Sequence, residues 1–168
     1  MKARDGGGVL LTQAIHSIDL LLHLMSPVRD ATGFALTSTL RAIDTEDVVA
    51  ASVRFASGAI GVIDATSVAR PGFPERIEIA GTRGSALLVA SRLELYGTDG
   101  PPKIVDGSAY GGGGGADPMA FDHGPHRALI TEMLDAIEQN RDPSNNAASA
   151  LPVQRLIEAI LADSEQRS

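Results

Sequence analysis

Between Val9 and Met25 the chain is apolar at Val9, Leu10, Leu11, Ile15, Ile18, Leu20, Leu21, Leu22, Leu24 and Met25, and the polar residues that interrupt this run keep one spacing. Thr12, His16, Asp19 and His23 stand at i, i+4, i+7 and i+11, which places them on one face of a helix. A helix apolar nearly all round is expected to be buried, so this stripe is expected to line a cleft or to be paired.

Downstream the period becomes that of a strand. Thr32, Phe34, Leu36, Thr37 and Thr39 suit a strand within residues 28–40. Val49, Ala51, Val53 and Phe55 alternate with Val48, Ala50, Ser52 and Arg54, giving one core face and one mixed face. Ser57-Gly58 makes a tight turn into residues 59–68, and residues 74–80, 84–90 and 91–97 read as three further short strands. Strands joined by short turns pair antiparallel, so the pattern predicts an α+β domain: an open, mainly antiparallel sheet with helices on one face.

Asp99-Gly100-Pro101-Pro102, Gly107 and the run Gly111 to Gly115 predict a long loop over 98–118, either a surface excursion or a flap over the site. Pro125 then suits a helix start, and Leu129, Ile130, Met133, Leu134 and Ile137 keep helical spacing until Asn140 and Asp142-Pro143 stop it. Leu151, Leu156, Ile157, Ile160 and Leu161 repeat the pattern in a last helix. Because proline is tolerated in a first turn, Pro152 predicts a start close to Leu151.

Composition bounds the partners. The 168 residues, 43% hydrophobic and 21% charged, suit a single globular domain over 1–168 with a real core. A net charge of -7 with no lysine or arginine cluster argues against nucleic acid and anionic membrane. The absence of cysteine excludes disulfides, a thiol nucleophile and a thiolate metal site, and is compatible with the cytoplasm, the expected location. Asp5 and three glycines separate Met1-Lys2-Ala3-Arg4 from the apolar run, and that run carries His16, Asp19 and His23, so neither a signal peptide nor a spanning helix fits.

The candidate chemistry centres on the stripe. Gly6 to Gly8 precede a helix but follow no strand, and no acidic residue ends a second strand about 20 positions on, so they read as a place of close backbone approach and not as a cofactor loop. His16 is either a satisfied core residue or a general acid-base group. Asp19 either orients His16 from i+3 or makes a structural hydrogen bond, and Gln13 is a helix-surface amide or a group reaching the cleft. His16 and His23 are about 10 Å apart along a helix axis, too far to share one ion, so no metal site is expected. Arg70-Pro71-Gly72-Phe73-Pro74 and Tyr110 lie in turn-forming stretches, and His123 and His126 flank a helix start where surface histidines are common.

Several of these segments together resemble a known family. Gly6-Gly7-Gly8-Val9-Leu10 leading to His16 and Asp19, then Glu46-Asp47-Val48-Val49, Phe55-Ala56-Ser57-Gly58-Ala59-Ile60-Gly61, and Ile79-Ala80-Gly81-Thr82-Arg83-Gly84-Ser85 are similar, in order, to the C-terminal domain of the Gfo/Idh/MocA oxidoreductases. The resemblance implies the dihydrodipicolinate-reductase-like form of the α+β fold. It also implies that an N-terminal Rossmann domain binding NAD or NADP, with a Glu-Lys-Pro segment carrying a catalytic lysine, is missing from this chain, which is then a truncated piece that binds no cofactor and is inactive alone.

On this resemblance His16 takes the family's catalytic position, handling the hydroxyl proton when a CH-OH group of a sugar, polyol or related compound is oxidised. Thr12 stands where many members have an aspartate, a departure that replaces a charge by a hydroxyl. Thr12, Gln13, Asp19, Arg70 and Phe73 become candidate substrate contacts. The resemblance also implies a homodimer or homotetramer through the outer face of the sheet, where Val48, Ala50, Ile60 and Val62 alternate. The alternative is a stand-alone, non-catalytic binding or dimerisation protein that has kept the fold.

Overall fold

The alternation across Val48–Phe55 becomes the central strand of an antiparallel sheet of β1 (Val28–Leu36), β2 (Val48–Phe55) and β3 (Ile60–Thr66), in that order. The computed structural model describes residues 6–107 and 123–167, and contacts group the chain into two units, Met1–Phe73 with Ala147–Ser168, and Pro74–Asn146. This sheet belongs to the first. β2 buries Val49, Ala51, Val53 and Phe55 and β3 buries Ile63 and Ala65, while Ala50, Ser52, Arg54, Ile60 and Val62 face outward. The hairpin between them closes with Phe55 N donating to the Ala59 carbonyl and Gly58 N to that of Phe55, both at 2.9 Å. Gly58 takes a φ of 90°, open to glycine at little steric cost.

There are three helices among the described residues, α1 (Ile15–Leu24), α2 (Gly124–Glu138) and α3 (Ala147–Gln166). α1 and α3 cover the buried face of the sheet. Val9, Leu10 and Ile18 from the first helical segment and Val153, Leu156, Ile157 and Ile160 from α3 join the strand residues in one core. Full burial of side chains of this size stabilises by about 1.5–3 kcal/mol each.

α3 also covers the free edge of β1. Asp163 Oδ2 accepts from the Thr32 hydroxyl at 2.6 Å and from Gly33 N at 3.0 Å, and Ser164 Oγ accepts from Ala35 N at 2.8 Å. Backbone groups that would offer a pairing template are thereby occupied. Arg167 Nε donates to Asp163 at 2.8 Å, and together with the Thr32 and Gly33 donors it holds the Asp163 carboxyl well below the usual carboxylate range.

The second unit carries β4 (Arg76–Gly81), β5 (Gly84–Val89), β6 (Arg92–Gly97) and β7 (Lys103–Asp106), a four-stranded antiparallel meander. On β6, Glu94 accepts from Arg92 and from the Tyr96 hydroxyl. Near the end of α2, Arg141 and Ser144 N donate to Glu132, whose carboxyl is lowered to about 2. The apolar positions Leu129, Ile130, Met133, Leu134 and Ile137 are exposed.

The α+β architecture, with helices on one face of an open antiparallel sheet, is the one the pattern predicts. Three local readings differ. Residues 103–106 form β7 inside the stretch read as loop, because four residues after a Pro-Pro pair suffice to extend a sheet edge opposite Arg92–Leu95; the glycine run itself lies outside the described residues. α3 starts at Ala147, four residues before the expected point, with Pro152 inside it. Ala147, Ala148 and Ala150 have the highest helix propensity and carry the helix past one lost hydrogen bond. The first helix, expected to be buried all round, exposes Leu20 and Leu24 along with its polar stripe, because the sheet reaches only one side of it.

Candidate functional site

The glycine triplet is fixed by Glu46. Val9 N donates to the Glu46 carbonyl at 2.9 Å and Leu10 N to its Oε1 at 3.3 Å, so two of the amides left open at a helix start are satisfied by one residue. A Cβ on Gly8 would overlap both the carboxyl and the carbonyl of Glu46, which is the close approach expected of the triplet. A dinucleotide pyrophosphate would need these same amides. The Glu46 carboxylate already stands there, and the residues present do not fit that group.

Asp47 secures the neighbouring position. It is fully buried, and its carboxylate accepts from Ser38 N and the Ser38 hydroxyl, each at 2.7 Å. Burial pushes the carboxyl up, but the Ser38 donors and the nearby Arg41 outweigh it and hold it below its ordinary value. Asp47 N donates to the Leu36 carbonyl, and the Asp47 carbonyl accepts from Ser67 N, both at 3.0 Å. Arg41 donates to the Ser67 hydroxyl at 3.2 Å. Ser67 begins the connection that carries Arg70 and Phe73, so Glu46 and Asp47 tether the helix start and the root of that connection from adjacent positions in the chain.

The stripe itself is presented outward. Leu10–Ala14 is a π-helical turn that runs into α1, and it holds Thr12 and Gln13. Its wider turn rotates less per residue and brings Thr12 closer in line with His16. Thr12, Gln13, His16, Asp19 and His23 are all exposed, while Ile18 on the opposite side is 3% exposed. The Thr12 hydroxyl donates to the Gly8 carbonyl at 2.8 Å, leaving its lone pairs to accept. Among the described residues no side-chain hydrogen bond joins His16 to Thr12 or Asp19.

Arg70 and Phe73 are exposed, Phe73 by 81%, and no hydrogen bond joins Arg70 to the stripe among the described residues. His123 and His126 belong to the second unit, where His123 Nε2 lies 2.6 Å from the Arg127 guanidinium. Tyr110 lies outside the described residues. Among the described residues no group of three His, Asp or Glu is placed to hold a metal, and no helix is long and apolar enough to cross a membrane. Sequence reasoning missed Glu46 and Asp47 as organisers of the site, since the Glu46 bond to Leu10 spans 36 positions; two consecutive acids entering an apolar strand were the available signal.

Comparison with known proteins places these features in context. A family model described as the GFO/IDH/MocA C-terminal domain matches residues 1–87. The chain is 33% identical over 93 residues to the uncharacterized oxidoreductase YrbE of Bacillus subtilis, covering 53% of this chain and 27% of that protein. It is 35% identical over 88 residues to the myo-inositol 2-dehydrogenase of Thermotoga maritima, covering 48% and 25%. Among solved structures, an NAD binding oxidoreductase from Klebsiella pneumoniae superposes with a TM-score of 0.79 at 24% identity, over 100% of this chain and 51% of that one. The matched stretch is about a quarter of the length of those curated relatives.

Proposed function

Since the chain belongs to the GFO/IDH/MocA family through its C-terminal domain, we propose that it is the substrate-binding and oligomerisation domain of an NAD(P)-dependent oxidoreductase acting on a CH-OH group of a sugar, polyol or related compound. The reading rests above all on the exposed stripe of Thr12, Gln13, His16 and Asp19 on a helix whose other side is locked in the core. The nicotinamide, held by a segment outside this chain, supplies the hydride acceptor. His16 takes the hydroxyl proton on an imidazole nitrogen as the carbinol becomes a carbonyl. Thr12 accepts from a substrate hydroxyl through the lone pairs its bond to Gly8 leaves free, and Gln13 and Asp19 offer further polar contacts. Arg70 donates to substrate oxygens and Phe73 packs on its carbon face.

The intact protein acts in the cytoplasm as a homodimer or homotetramer joined through the outer sheet face. Inositol oxidation by the Thermotoga relative makes polyols the first substrates to assay. In the intact enzyme supplied with NAD or NADP and a polyol panel beginning with myo-inositol, His16→Ala should lower turnover by roughly 10²- to 10⁴-fold, with cofactor affinity nearly unchanged. Full turnover in His16→Ala would reduce this histidine to a surface residue.

A further inference from the structure

We infer that Glu46 is a positioning residue for the stripe: it fixes the π-helical turn so that Thr12 stands in line with His16. The catalytic consequence rests on the acid-base reading of His16; the positioning itself does not. Turns of the i→i+5 kind are rare and occur frequently at functional sites. Here the hold is external. Glu46 takes Val9 N on its carbonyl and Leu10 N on its carboxylate, immediately before and at the first residue of the turn. Gly8 leaves no room for the carboxylate to be replaced by a neighbour, because even a Cβ there would collide with it.

Glu46 in turn has little freedom. The next residue is pinned on three sides, by Ser38 on its carboxylate, Leu36 on its N–H and Ser67 on its carbonyl. That carbonyl anchors the root of the Arg70–Phe73 connection, so the geometry relating two segments of the proposed site passes through the Glu46-Asp47 dipeptide. Since, among the described residues, Glu46 makes no hydrogen bond to Thr12, Gln13 or His16, its effect on chemistry is exerted through the turn. A negative charge at this end also complements the helix dipole, but an uncharged acceptor of equal reach keeps the geometry.

The test compares Glu46→Ala, Glu46→Gln and Glu46→Asp in the full chain by amide hydrogen exchange. Glu46→Ala should speed exchange at Leu10, Leu11 and Thr12 by about tenfold or more while Val153–Ile160 of α3 change by less than about twofold, the pattern of a local opening. Glu46→Gln should restore protection, and Glu46→Asp, a methylene shorter, should not. In the intact enzyme assayed with NAD and myo-inositol, Glu46→Ala should lower kcat about 10- to 100-fold and leave the KM for NAD within about twofold, with Glu46→Gln recovering most of the loss.

His16→Ala is measured beside them. Full turnover there removes the acid-base reading and leaves the exchange data to decide the role of Glu46. Unchanged exchange at Leu10–Thr12 in Glu46→Ala overturns the inference, and so does an equal rise across α3, which marks a general structural role.

Discussion

The Thr12 hydroxyl donates its proton to the Gly8 carbonyl, so a substrate bound as proposed would meet an acceptor there and not a donor. Thr12→Val should therefore raise substrate KM by a factor matching about 0.5–1.5 kcal/mol, one neutral hydrogen bond, while kcat changes less; steady-state kinetics of the intact enzyme read both. Asp163 makes the fold sensitive to acid. Its carboxyl titrates below the ordinary aspartate value because Arg167, Thr32 and Gly33 all donate to it. The resulting stability is fully present above the unfolded value of 3.8 and fades as pH falls below it, with Asp47 adding a loss of the same sign. Urea midpoints measured from pH 6 downward should fall below about pH 4, and fall less in Asp163→Asn; equal slopes would remove Asp163 from the account. The stripe was legible in the sequence because helical spacing alone assembles Thr12, His16 and Asp19. Glu46 and Asp47 were not, since their roles depend on partners brought in by the fold.

α3 does two jobs at once. One face supplies Val153, Leu156, Ile157 and Ile160 to the core, and its last turn satisfies the amides of Gly33 and Ala35 on β1. Ile157→Ala, at a site 1% exposed, should cost about 2–5 kcal/mol, read from urea unfolding monitored by circular dichroism. Ser164→Ala, which removes a hydroxyl that accepts from Ala35 N and donates to the Ala35 carbonyl, should cost about 1–3 kcal/mol and speed exchange of the Ala35 amide. Periodicity foretold this helix, α2 and the first six strands because apolar residues recur in each at alternate or every third to fourth positions, even where, as on α2, the face they form is exposed. It failed at β7, whose four residues are all exposed and carry no burial pattern, and at the π-helical turn, where nothing in Leu-Leu-Thr-Gln-Ala separates an i→i+5 bond from an i→i+4 one.

On the outer face of the first sheet Phe34, Leu36, Ile60 and Val62 are 64%, 59%, 80% and 76% exposed, beside a shallow depression of about 590 Å³ bordered by Arg29, Thr32, Ser52 and Arg54. The proposed assembly would cover this patch, so Ile60→Asp with Val62→Asp should shift sedimentation velocity at tens of micromolar towards the monomer; a parent chain already monomeric there would refute the proposed assembly. The partners that close the edge of β1 lie 129 to 131 positions further along the chain, with all of Pro74–Asn146 in between. At the ribosome this becomes a matter of time. With elongation at about 5–20 residues per second, β1–β3 emerge on the order of ten seconds before α3, exposing a bare strand edge and an unroofed apolar layer, whereas Pro74–Asn146 is synthesised without interruption and can settle first. Stalled nascent chains ending before Ala147 should accordingly be cut by protease within β1–β3 and recruit holding chaperones, and both vulnerabilities should vanish once Ser164 has cleared the exit tunnel.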